Sequence, residues 1–130
     1  MKSGRPPQAG DRRREAFLLG LRAESIAAFW LRAKGYRILE RRYLAFGGEI
    51  DLIAARGNVI AMVEVKARPT VEEAMASITP DKARRMSRAA RHWLARAPGV
   101  EQKTWRGDAI FLTPRSLPRH APGFIPLDLS

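Results

Sequence analysis

The chain has 130 residues, 24 of them Lys or Arg against 13 Asp or Glu, giving a formal net charge of +11 and a pI near 11.3. That length suits one domain with a core that needs no covalent staple. With no cysteine and only His92 and His120, disulfides, thiolate metal sites and a histidine-rich zinc site are excluded, so any metal must be held by oxygen.

A positive field of this size favours a polyanion, with nucleic acid as the default partner. An anionic membrane surface and an arginine-rich composition without functional consequence are the rival readings. No signal-like apolar run follows the basic N-terminus, and Arg22 and Glu24 interrupt the most apolar helix, so a soluble, cytoplasmic protein with no membrane segment is expected.

Residues 1–13, with Pro6, Pro7 and a run beginning at Arg12, have the composition of a flexible basic arm, which leaves 14–130 as the single domain. From Arg14 to Lys34 the positions Phe17, Leu21, Ala28 and Leu31 recur at helical spacing, and Gly35 supplies the stop. Glu24 shares that stripe and points toward the sheet, where a carboxylate needs a partner. It either meets an arginine or lysine or contributes to a metal site. Tyr36 to Ala45 reads as a strand with Tyr36, Ile38 and Leu44 inward, followed by a loop in which Phe46 either stacks on a base or caps the core.

Two apolar runs, about 49–55 and 59–66, flank Arg56-Gly57-Asn58, the punctuation of a tight hairpin. A turn centred between Gly57 and Asn58 sets Asp51 opposite Glu64, with Lys66 two residues on along the same face and Glu49 on Asp51's side. Directly opposed side chains have Cβ atoms about 4.5–5.5 Å apart, where like charges destabilise. Either Lys66 neutralises the acids on a solvated face, or a divalent cation such as Mg²⁺ joins them and the ammonium orients a water. Ile53, Ile60 and Met62 share the parity of the charged residues, which favours a buried face.

Pro69 ends the second run; Val71 to Ser77 reads as a short helix, and Thr79-Pro80 caps a longer one reaching about Ala97. Its apolar stripe is Ala83, Met86, Ala90, Trp93, Leu94 and Ala97. The other side carries Lys82, Arg84, Arg85, Arg88, Arg91 and Arg96, with no acid after Asp81, which suits phosphate better than a merely solvated face. Trp105 to Leu112 is a further strand carrying Arg106 and Asp108, which form either a structural ion pair or a support to the site, and Phe124-Ile125-Pro126-Leu127 suggests an edge strand.

The blocks Gly48-Glu49-Ile50-Asp51-Leu52-Ile53-Ala54 and Val63-Glu64-Val65-Lys66-Ala67-Arg68 resemble the signature of the YraN-like bacterial proteins, which belong to the PD-(D/E)xK nuclease superfamily near the archaeal Holliday junction resolvases. The resemblance spans about residues 20–112. It implies an α/β fold with a restriction-endonuclease-like core, a mixed central sheet flanked by helices in the order αβββαβ. It also implies metal ligation by Asp51 and Glu64, catalysis by these two acids with Lys66, and a helical Glu, here Glu24, in the same Mg²⁺ or Mn²⁺ cluster. Glu49, Arg68 and Asp108 are expected to support the ligands, and Lys82 matches a basic position in the family's helix. The function implied is a metal-dependent endonuclease acting on DNA, including branched or junction DNA, as a possible homodimer. The alternative is a non-catalytic nucleic-acid-binding protein that keeps the fold. One departure is Arg42-Tyr43-Leu44, where relatives usually carry Asn, an aromatic and Arg.

Overall fold

The computed structural model describes residues 8–100 and 102–130, so most of the expected basic arm lies outside the described residues. In chain order the elements are α1 (Ala9–Gly20), α2 (Ala23–Ala33), β1 (Arg37–Ala45), β2 (Gly48–Arg56), β3 (Val59–Ala67), α3 (Val71–Ala76), α4 (Pro80–Arg96), β4 (Thr104–Leu112) and β5 (Arg119–Ile125). The strands form one mixed sheet in sequential order, with β3 and β4 parallel and the other neighbours antiparallel. A parallel pair cannot be closed by a tight turn, and α3 with α4 supplies the crossover.

The hairpin pairs Leu52 with Val63, Ile53 with Met62 and Arg56 with Val59, the register expected from its two-residue turn. Gly57 provides the positive φ, 56°, that this turn requires. Period-two alternation then feeds two cores. Ile53, Ile60, Met62 and Phe111 meet Met86, Ala90 and Trp93 of α4, while Leu52, Ala54, Ala61 and Val63 meet Ala27, Ala28 and Leu31 of α2. Each large aliphatic side chain buried this way contributes about 1.5–3 kcal/mol. The Thr79 hydroxyl caps α4 by accepting the Lys82 N–H at 3.1 Å. Close packing of α4 on β2 requires Gly48, where a Cβ would collide with the Arg85 carbonyl. Among the described residues no helix is long and apolar enough to cross a membrane.

Three expectations are corrected. Helix α1 begins at Ala9, inside the stretch read as a flexible arm. The single helix 14–34 is two helices broken at Leu21-Arg22, which shifts the inward stripe to Ala16, Ala23, Ala27, Ala28 and Leu31 and leaves Phe17 and Leu21 exposed. In β1 the alternation slips at a bulge between Ile38 and Glu40, so Leu39 and Tyr43 pack toward α4 while Leu44 faces solvent.

Candidate active site

The site forms where β2 and β3 stop pairing. Their ladder ends at Leu52 and Val63, and the next position is not a plain Asp51–Glu64 pair. Instead Asp51 Oδ2 accepts the Val65 N–H at 2.8 Å, taking the place of a ladder carbonyl. Ile50 and Ile53 both pack under α4 while Leu52 packs under α2, so side-chain alternation must skip once, at Asp51. Across the sheet, between Arg41 opposite Leu52 and Tyr43 opposite Ile50, Arg42 has a left-handed φ of 51°. A non-glycine residue held there stores about 1–3 kcal/mol, a cost that recurs at functional sites. The slip carries Asp51 into a cleft of about 280 Å³, lined also by Glu24, Arg42 and Val65.

Glu64 lies on the adjoining strand and is only 1% exposed. Its Oε2 meets two ammonium groups, Lys66 Nζ at 3.2 Å and Lys82 Nζ at 3.4 Å. Its Oε1 is buried and, among the described residues, has no hydrogen-bond partner. Such an oxygen carries a full desolvation penalty unless a proton or a cation meets it. Burial, then the negative charge of Glu64 and a side-chain hydrogen bond that protonated Asp51 gives it, push the Asp51 carboxyl up to about 7, against the Val65 N–H and Lys82, which favour the ionised form. Two neighbouring carboxylates short of donors are a natural oxygen pair for a hard divalent cation, so the residues present fit Mg²⁺ or Mn²⁺.

The third expected ligand is engaged elsewhere. Glu24 borders the same cleft as Asp51, but its Oε2 accepts from Arg42 Nε at 3.0 Å. Of the two fates read for Glu24, the structure gives the arginine. Among the described residues no group of three or more acids or histidines is gathered for a metal.

Other expected residues divide clearly. Lys82, read as part of the outer basic face, is buried and bridges Glu64 to Glu49, the latter at 3.7 Å. The helical period itself places it there, because Lys82, Met86, Ala89 and Trp93 form one stripe. Arg68 donates to the Ala67 carbonyl at 2.8 Å and makes no direct contact with the acids. Asp108 pairs with Val63 across the parallel ladder, so it faces α2 while Glu64 faces α4. It cannot support the carboxylate pair directly, and the ion pair with Arg106 at 2.7 Å is its role. Arg84, Arg85 and Arg88 project to solvent, the first two within reach of Asp81, whereas Arg91 donates to the Asp128 carbonyl. Phe46 does not cap the core: it is 79% exposed, at φ 48°, with its edge-to-face contact to His92 at 4.9 Å. It overhangs a second cleft of about 440 Å³ bordered by Glu49, Lys82 and Arg85.

Fold and site together define an α/β protein whose sheet carries an Asp on one strand and a Glu-x-Lys on the next, flanked by a buried helical lysine. The chain belongs to the uncharacterised protein family UPF0102, the YraN family, whose family model matches residues 23–112. It is 53% identical over 118 residues to a UPF0102 protein of Methylocella silvestris, covering 91% of this chain and 95% of the relative. Similar proteins of Methylobacterium nodulans and Methylorubrum extorquens are each 54% identical, over 86% and 91% of this chain and 87% and 93% of theirs.

Proposed function

We propose that this chain is a divalent-metal-dependent endonuclease acting on DNA, built on a PD-(D/E)xK core, with Asp51 and Glu64 as the residues that would hold Mg²⁺ or Mn²⁺. The observation that carries this reading is the buried, donor-free Oε1 of Glu64 beside an Asp51 carboxyl raised to about 7. Perturbed acids of this kind cluster at functional sites. When bound, the cation supplies Lewis-acid stabilisation of negative charge at the phosphodiester.

The chain's own residues account for the rest. Lys66, at 3.2 Å from Glu64, orients the attacking water by donating to it. Lys82, at 3.4 Å from the same carboxylate, is a second ammonium that can turn to a phosphate oxygen once Glu64 is otherwise neutralised. Arg84, Arg85 and Arg88 hold flanking phosphates, which positions the strand without reading its sequence. Phe46 offers a face to an unstacked base. Branched DNA as substrate rests on the resemblance to the resolvases, and a two-fold dimer would match its paired strands.

One observation favours a second reading, a non-catalytic nucleic-acid binder: Lys66, Lys82 and Arg42 already balance Glu64 and Glu24. Incubation with plasmid, flap and four-way-junction DNA in Mg²⁺ or Mn²⁺ separates the two. Cleavage that EDTA abolishes supports the enzyme. Salt-sensitive binding with every substrate intact overturns it in favour of the binder.

A further inference from the structure

The α2 face of the sheet carries a second polar cluster, built around an acid that is saturated with donors. Asp108, 0% exposed, accepts from Arg106 Nε at 2.7 Å and Nη2 at 2.8 Å, from the Gly123 N–H at 3.0 Å and from His120 Nε2 at 2.8 Å. Burial alone would raise its pKa, but the bonds from His120, Arg106 and Gly123 outweigh it and hold the carboxyl below its usual value. An ionised Asp108 fixes the hydrogen of His120 on Nε2, which leaves Nδ1 as an acceptor. That nitrogen lies 2.6 Å from Nζ of Lys34, at the C-terminus of α2.

The result is a chain Asp108, His120, Lys34, in which a carboxylate orients an imidazole and the imidazole faces an amine. The His120 side chain is 1% exposed, whereas Lys34 reaches solvent. The groups around Lys34 work against its proton. Partial burial comes first and the Arg56 guanidinium second, with Arg106 adding to them, and together they outweigh the attraction of Asp108. Arg56 is anchored over the Tyr36 ring at 4.6 Å and donates to the Lys34 carbonyl at 3.1 Å, while Arg106 donates to the Tyr36 hydroxyl at 2.6 Å. A neutral Lys34 can donate one N–H to Nδ1 and keep its lone pair directed outward.

We propose that Lys34 is a nucleophilic lysine, acylated by small acyl phosphates, with His120 as its base. Nζ attacks the carbonyl carbon and forms a C–N bond. The C–O bond to phosphate breaks, and inorganic phosphate leaves with the electron pair. One Nζ proton passes to His120 Nδ1 and on to water. The neighbouring Arg56 charge suits an anionic donor and leaving group. The amide produced retains one N–H for Nδ1, so the contact survives acylation while one positive charge disappears. The alternative role for the same contacts is a latch that pins β5 to α2.

Neither the metal reading nor DNA enters this test. The full chain is treated with acetyl phosphate near neutral pH, and acetylation is quantified residue by residue by mass spectrometry, with Lys103 as the internal reference. Burial and the Arg56 guanidinium leave more of the Lys34 amine neutral and His120 accepts its proton, so Lys34 is expected to react several-fold faster than Lys103. That excess is expected to vanish in wild-type chain unfolded in concentrated urea, a control that needs no variant. His120→Gln, checked for folding by circular dichroism, is expected to cut the Lys34 excess without abolishing it, because burial and Arg56 still act on the amine. Arg56→Ala is expected to slow acetyl phosphate more than the uncharged ester p-nitrophenyl acetate, because it removes the attraction for the anion in addition to part of what lowers the Lys34 pKa. Equal rates for Lys34 and Lys103 in the folded wild type overturn the proposal and leave the cluster as a latch. An excess that persists in urea, or one that is undiminished in folded His120→Gln, does the same.

Discussion

Two buried acids on opposite faces of one sheet behave oppositely. Asp108 is met by Arg106, His120 and the Gly123 amide, and its carboxyl is held below the usual range. Glu64 has both of its lysines on one oxygen and none on the other, and Asp51 beside it accepts a single amide and is pushed up to about 7. Burial is common to both regions, so burial does not separate them. What separates them is satisfaction. A carboxylate whose lone pairs are filled by the fold holds the fold together, whereas one left short retains capacity for something that is not part of the chain.

The sharpest way to break this contrast is to remove one group from each side. Lys66→Ala is expected to lower cleavage by about 10²–10⁴, the range for a lost proton-handling group, with DNA affinity nearly unchanged because one charge among many is removed. Asp108→Ala is expected to cost about 1–3 kcal/mol in urea unfolding, because the buried His120 ring and the Gly123 N–H lose their acceptor and half-buried Arg106 loses its partner. A Lys66 variant that loses stability and an Asp108 variant that does not would invert the assignment.

The next effect is smaller and differs in sign. Asp51 titrates near 7 when folded against 3.8 when unfolded, so its contribution is fully present below about pH 3.8 and is lost as pH rises toward about 7. Asp108 is depressed, so its contribution is present above the unfolded value of 3.8 and is lost as pH falls through its lower folded value. Asp51→Asn is therefore expected to flatten the decline of the urea midpoint between about pH 4 and 7 and to leave the acid limb below it unchanged. Equal slopes in wild type and Asp51→Asn would remove the perturbed carboxyl from the account.

Smallest in energy per residue is the outer face of α4. If Arg84, Arg85 and Arg88 each meet phosphate, replacing all three with Ala is expected to lower the slope of log affinity against log salt by about 0.9 per contact, roughly 2.7 units on duplex DNA. An unchanged slope would make them a solvated face. Arg91 is left out because the Asp128 carbonyl already holds it.

Much of this was legible in the sequence, for reasons that vary by residue. The hairpin register follows from Gly57-Asn58 and period-two alternation, and it brings Asp51 level with Glu64 without any tertiary information. The slip at Asp51 was not legible, because it depends on a strained backbone at Arg42 that no hydrophobic pattern records. Sequence leaves Asp108 open between an ion pair with Arg106 and support of the acids, because it does not give the face of a parallel neighbour; pairing with Val63 decides that. The position of Lys82 is readable from its helical stripe, but a lysine ordinarily seeks water, which sets its chemistry against its place in the period. Phe17 and Leu21 misled for a plainer reason: the break at Leu21-Arg22 rotates α1 out of phase with α2.

The central claim is that Asp51 and Glu64 are a cation pair. Titration of the full chain with Mn²⁺, followed by electron paramagnetic resonance near pH 8, tests it most directly. The account expects one bound ion in wild type, an affinity that falls by about tenfold per pH unit below 7 as Asp51 takes up its proton, and loss of the site in folded Glu64→Gln. Absence of bound Mn²⁺ in wild type, or binding of equal strength in Glu64→Gln, would contradict it.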